Sequence, residues 1–274
     1  MDIRIGYEIK LRFSGETPFH ALLHTYPNRY EMLKPDQLTV EPYAPYELFI
    51  DKFGNRCTRL MAPAGLLTLK NEAIVSVQDP LDLSDPEAQE LPILGFPYDT
   101  LEFLYASRYC EVDLLSTFAW QQFGHLPAGY PRVQAICEWV HHHIRFDYMQ
   151  AHVTKTAYDV FKNPQGVCRD FAHLAVTLCR CMGIPARYAT GYLGDIGVPL
   201  TPPMDFSAWF EAYLSTGWYT FDPRNNQRRL GRVLIAYGRD AADAAIITTF
   251  GSHILEYFLI FCDPVELGLI TDPG

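Results

Sequence analysis

The chain has 274 residues, 49% of them hydrophobic and 20% charged, with a formal net charge of −10. That length suits one large domain or two modest ones, and a mean hydropathy near zero argues against both a disordered chain and a set of membrane spans. The acidic balance repels phosphate backbones and so disfavours nucleic acid as a partner.

The N-terminus, MDIRIGYEIKLRF, lacks the charged-then-apolar layout of a signal peptide. Ile3, Ile5, Tyr7, Ile9, Leu11 and Phe13 alternate with Arg4, Glu8, Lys10 and Arg12. Period two predicts a strand with one wet face, as in an antiparallel sheet. Strand-like runs follow at 46–50, 66–69 and 73–77, with an FGNR turn at 53–56. The acidic, proline-bearing stretch DPLDLSDPEAQELP at 79–92 reads as a linker or loop.

Beyond residue 100 the period changes. Pro131 suits the first turn of a helix over about 131–144, whose apolar stripe is Val133, Ile136, Cys137, Val140 and Ile144. His141, His142 and His143 are consecutive on that helix, so they diverge and cannot converge on one thiol or metal. A second helix begins near Cys168, with Phe171, Leu174, Ala175, Leu178 and Met182 on one stripe and Gly183 as its stop. Strands are expected at 186–193, 207–214 and 218–222, the last two forming a hairpin. Arg224, Arg228, Arg229 and Arg232 form a basic cluster, read as a solvated surface turn. The apolar run Ile254 to Cys262 contains Glu256 and falls short of the ~18–20 residues that a spanning helix needs. A cytoplasmic protein without membrane contact is the expectation.

Seven cysteines at irregular spacing predict free thiols rather than a disulfide framework. Cys168 stands apart because it follows a Pro-Gln-Gly turn and opens a helix. Free N–H groups and the helix dipole favour an anion there, which would lower a thiol's pKa and help to hold an oxyanion. From position alone, a buried structural cysteine is an equal reading. Cys179 and Cys181 do not have zinc-pair spacing, and no phosphate loop or dinucleotide fingerprint is present.

The blocks GVCRDFAHLAVTLCRCMGIPARYATGY and DFSAWFEAYLSTGWYTFDPRN, with FLYASRYCEVDLL before them and GRVLIAYGRDAADAAIITTFG after, resemble the bacterial transglutaminase-like superfamily. These are cysteine peptidases and amide-processing enzymes of papain-like fold, here with an N-terminal β-domain. The resemblance implies an α+β protein, with an antiparallel β-domain over 1–95 and a core over 96–274 in which helices pack on an antiparallel sheet. It implies a Cys, His, Asp triad acting on a peptide or protein substrate, with no metal or organic cofactor. Cys168 matches the nucleophile and Asp222 the acid that orients the base.

At the base position the chain departs from the family pattern, which is Asp, then Phe or a similar residue, then His-Ala-Trp. It reads Asp205, Phe206, Ser207, Ala208, Trp209. A serine hydroxyl has no useful basicity near neutral pH, and general acid–base catalysis is worth ~10²–10⁴-fold. Three explanations stand open: a laboratory variant, a natural relative that binds a peptide without turning it over, or another histidine as base. His173 points about 140° round the helix from Cys168 by the ~100° per residue of a helix and reads as structural. His20 and His24 belong to the β-domain, and His152, in the loop before the Cys168 helix, is the histidine left to approach the site. In the hairpin, a loop from Leu214 to Gly217 pairs 213 with 218 and 209 with 222. Position 207 then lies diagonal to Asp222. A three-residue loop would break that arrangement.

Overall fold

A computed structural model of the chain describes residues 1–79, 81–200 and 203–265; Pro80 of the acidic loop and residues 266–274 of the expected core lie outside it. Seven strands come first: β1 (Asp2–Phe13), β2 (Thr17–Ala21), β3 (Glu31–Lys34), β4 (Thr39–Glu41), β5 (Tyr46–Ile50), β6 (Arg56–Ala62) and β7 (Gly65–Ser76). Next are α1 (Val112–Phe123), α2 (Tyr130–His143), β8 (Arg145–Phe146), α3 (Ala157–Lys162), β9 (Gln165–Gly166) and α4 (Cys168–Cys181). Six strands complete the chain: β10 (Ala186–Leu193), β11 (Ser207–Leu214), β12 (Gly217–Phe221), β13 (Arg232–Gly238), β14 (Ile247–Thr249) and β15 (His253–Pro264). The class is α+β, with antiparallel sheets and helices packed on one of them.

The alternation of β1 places Ile3, Ile5, Ile9, Leu11 and Phe13 in a core. β1 sits inside a sheet ordered β15–β1–β7–β3, and β4 also pairs with β7. A second sheet runs β14–β2–β6–β5. β14 pairs with β2 and β15 pairs with β1 from Ile3↔Pro264 to Phe13↔His253, so strands from the far end of the chain complete the N-terminal sheets. The division at residue 95 remains a proposal from sequence. Among the described residues no helix is long and apolar enough to cross a membrane.

The third sheet, ordered β12–β11–β10–β13, carries α4 on one face. α1, α2 and α3 also pack against α4, so every residue from Asp170 to Cys181 is buried rather than a single stripe. Burial on all sides forces the helix to satisfy its polar groups internally. Arg180 donates to the carbonyls of Tyr105 and Ala186 at 2.8–3.0 Å, to that of Arg239, and to the Ser107 hydroxyl at 3.1 Å.

The acidic stretch before the core is a strap rather than a free linker. The Asp82 carboxylate accepts from Arg232 Nε and from the Arg229 N–H, both at 2.9 Å. The Ala88 carbonyl accepts from the Tyr130 N–H at 2.8 Å, and Glu90 pairs with Arg132 at 2.8 Å. Gly129, at φ +92°, starts α2 beneath this strap, and a Cβ there would meet the Ala88 carbonyl at 2.3 Å. The basic cluster is correspondingly not a solvated turn. Arg229 and Arg232 are buried, and Arg232 is bound by two carboxylates.

Candidate active site

Cys168 is held at the start of α4 by the turn that precedes it. The Asp170 carboxylate accepts from the Val167 N–H at 2.9 Å, closing the first turn, while Arg169 pairs with Asp170 and donates to the His152 carbonyl. Gly166 is required beside it, because a Cβ would lie 2.4 Å from an Asp170 oxygen. The helix body is anchored in the apolar core shared with α1, α2 and β11, while Cys168 packs against the separate core of the N-terminal strands. The thiol therefore sits on the seam between two cores, and the residue is only partly buried.

β11 reaches the sulfur. The Ala208 and Arg169 backbone N–H groups donate toward Sγ, which favours thiolate, but burial outweighs them and the nearby Asp205 carboxylate adds repulsion. The thiol is pushed up to about 11. At pH 7 a thiol of that pKa is ionised in about one molecule in 10⁴. The helix terminus alone does not deliver the activated thiolate expected from position.

The hairpin has the register that the sequence required. Tyr213 pairs with Trp218, although the turn is tighter than expected, with Leu214 opposite Gly217. Continued outward, this register sets Asp222 opposite Trp209 and leaves Ser207 on the diagonal. Ser207 opens β11, is 8% exposed, and its Oγ has no hydrogen-bond partner among the described residues. An unpartnered buried hydroxyl is uncommon and marks a position that the surrounding structure does not complete.

Asp222 is occupied elsewhere. Its carboxylate accepts from Arg232 at 2.7 Å, from Asn225 Nδ2 at 2.7 Å and from the Asn225 N–H at 3.0 Å. Burial opposes its ionisation, but these donors hold the carboxyl below its usual value. Arg232 binds Asp82 with its other edge and lies 4.8 Å from the Trp209 ring centroid. Asp222 is thus held as a carboxylate by Arg232 and Asn225, while the Cys168 sulfur is protonated.

Two cavities meet at Cys168. Cys168, Asp205, Phe206 and Ser207 line both of them. One, of about 340 Å³, contains Phe146, Tyr148, Arg224 and Asn225. The other, of about 330 Å³, runs under Leu255 and Phe258 of β15 and is walled by Ile9, Leu11 and Ile247.

The histidines considered from sequence do not enter either cavity. His173 is fully buried, accepts from the Ala241 N–H at 3.1 Å, and stacks on Tyr109 at 5.0 Å. Burial and the neighbouring Arg169 and Arg180 push it well below the usual histidine value. His152 is exposed and bonds the Thr154 hydroxyl at 2.9 Å. His141, His142 and His143 diverge to the carbonyls of Pro223, Glu138 and Phe161. His253 lines the apolar cavity that includes Cys168. Sequence reasoning missed it because it lies on the last strand, far from the motif. Asp205, adjacent to the motif serine, and Arg224, in the basic cluster, were visible only as letters of a pattern. Tyr192, at the end of β10, is buried and packed 5.2 Å from Phe206.

The family pattern of the Transglutaminase-like superfamily matches residues 117–223. The crystal structure of a proposed cysteine protease from Cytophaga hutchinsonii superposes with a TM-score of 0.88 at 32% identity, covering 97% of this chain and 91% of that one. The chain belongs to the transglutaminase-like superfamily. An uncharacterised protein of Mycobacterium leprae is 28% identical to this transglutaminase-like chain over 208 residues, 72% of this chain and 73% of that protein. An uncharacterised protein of Mycobacterium tuberculosis is 33% identical over 94 residues, 29% of this chain.

Proposed function

We propose that this transglutaminase-like chain is built for acyl transfer from peptide or isopeptide amides through a Cys168 thioester, and that its turnover is impaired because Ser207 stands at the general-base position. In that reaction sulfur attacks the amide carbonyl, the C–S bond forms, and the C–N bond breaks as the amine leaves with a proton. Water or a second amine then forms its bond to the same carbon and the C–S bond breaks, returning the proton to sulfur. Both halves need a group that accepts the thiol proton and gives it back. The β11–β12 register supports Asp222 as the group that would orient an imidazole at 207, in exchange for part of its present bonding to Arg232 and Asn225, but the serine cannot carry the proton.

The observation that carries this reading is the convergence of Cys168 and Ser207 on the same two cavities, with the β11 backbone donating to the sulfur. The second reading, a peptide-binding relative without catalysis, is favoured by the high thiol pKa and the unpartnered Ser207 hydroxyl. A cytoplasmic setting and a protein or peptide as substrate belong to the same proposal. Replacing Ser207→His decides between the readings. The catalytic one predicts that amide hydrolysis rises by ~10²-fold or more and is lost again on Cys168→Ala. Unchanged hydrolysis in the histidine variant, with the fold intact, leaves the binding reading. Full activity in the unaltered chain would require a different base, with His253→Ala and His152→Ala as the variants to compare.

A further inference from the structure

The two cavities that share Cys168 differ in chemistry. The one beneath β15 is walled by Ile9, Leu11, Ile246, Ile247, Leu255 and Phe258, and at about 330 Å³ it falls at the lower end of the ~300–1,000 Å³ typical of ligand pockets. The other holds two guanidinium groups. Arg229 is already spent on the Gly194 carbonyl at 3.0 Å and the Asp195 carboxylate at 3.1 Å. Arg224 is not. It lies 4.2 Å over the Phe146 ring and has no ion pair among the described residues. Asp205 faces the same space and is felt electrostatically by Arg224 without reaching ion-pair distance.

A half-buried guanidinium stacked on a ring, with its in-plane donors free, is suited to a carboxylate, which it can hold with two parallel hydrogen bonds. The larger cavity of about 700 Å³ on the far face of the sheet offers no such group. There Arg187 is bound to Glu211 at 2.6 Å, Arg29 donates to the Tyr237 hydroxyl and lies 3.8 Å from Glu211, and Arg232 is bound to Asp82 and Asp222. Cys168 therefore lines both an apolar cavity and one that holds a guanidinium without an ion pair among the described residues.

We propose that this site recognises a peptide amide carrying a bulky apolar side chain on one side of the amide and a carboxylate on the other, the apolar group filling the cavity beneath β15 and the carboxylate meeting Arg224. The assignment rests on the amide-processing reading only in placing the amide bond at Cys168. The carboxylate has two possible sources, a peptide C-terminus or an acidic side chain.

Binding to the chain as it stands tests this without turnover. The probes are acetyl-Phe-Ala with a free C-terminus, the same peptide as its C-terminal amide, acetyl-Phe-Glu as its C-terminal amide, and acetyl-Ala-Ala with a free C-terminus, each titrated calorimetrically. The free-acid phenylalanyl peptide or the glutamyl peptide should bind at least tenfold more tightly than the neutral phenylalanyl amide, and which of them does so names the source. Arg224→Gln should erase that preference, and Ile247→Glu should erase the preference for Phe over Ala. Equal binding of acid and neutral peptides to the unaltered chain, or no binding by any probe, overturns the proposal with no variant needed. Acid-selective binding combined with an inert Ser207→His variant would sink the catalytic reading and leave this one standing. Hydrolysis by Ser207→His without acid preference would do the reverse.

Discussion

One face of the β12–β11–β10–β13 sheet presents Phe210, Ala212 and Leu214 to α4, in an apolar core. The other carries Arg187, Glu211 and Tyr237, joined by hydrogen bonds of 2.6–2.9 Å, and ends in the Asp82, Arg232 and Asp222 network. The apolar face fixes where the sulfur is, because α4 cannot shift without opening a packed core. The charged face fixes where the acid is, because Asp222 remains ionised in the interior only while Arg232 is present. The two faces meet at position 207, and it is there that the chain supplies a serine. The site is thus positioned from both sides without its own proton carrier, and its scaffold does not depend on that residue.

Damage to each face in turn, followed as stability against pH, separates the two roles. Arg232→Met leaves Asp82 and Asp222 buried without their shared partner and is expected to cost ~3–5 kcal/mol at neutral pH. Denaturant unfolding should show that cost shrinking as pH falls, since protonation removes the unpaired charges. In the unaltered chain the sign is opposite: Asp222 is held below its usual value, so its contribution is present above pH ~4 and is lost as pH falls below it. Phe210→Ala on the other face is expected to cost a comparable ~3–5 kcal/mol with no dependence on pH. Equal pH profiles for the two variants would contradict the division of labour.

A smaller effect concerns the sulfur. Burial sets most of its high pKa and Asp205 adds to it, so Asp205→Asn should lower the midpoint of Cys168 alkylation by ~1 pH unit. An upward shift would mean that the carboxyl is acting as an acceptor for the thiol rather than repelling thiolate. A further test concerns His173, which is neutral in the fold but takes a proton when unfolded below about pH 6.5. Stability should therefore fall with pH below that point by about 1.4 kcal/mol per unit, and His173→Gln should flatten that slope.

The parts of this arrangement that were legible from sequence are those with local periodicity. The alternation in β1, the stripe of α2, the start and stop of α4 and the β11–β12 register could all be read from neighbouring residues, whereas the burial of α4 on all sides could not. The strap was not legible, because Asp82 meets Arg229 and Arg232 across about 150 residues of chain and no local pattern encodes that ion pair. The same separation turned four arginines into an apparent surface turn when two of them are buried. The short strands β3 and β4 have too few residues to show a period, and β14 and β15 join the N-terminal sheets only through pairing with strands more than 200 positions away. In the site, Cys168 and position 207 were found through the motif. The cavity beneath β15 and His253 were not, because they are made where the chain's two ends come together.

The most direct measurement is a pH titration of the Cys168 thiol itself, in the unaltered chain and in Ser207→His. The expected midpoint is near 11 in the first and several units lower in the second, where an imidazole at 207 can take the proton. A thiol that already titrates below its ordinary value of ~8.5 in the unaltered chain would contradict it.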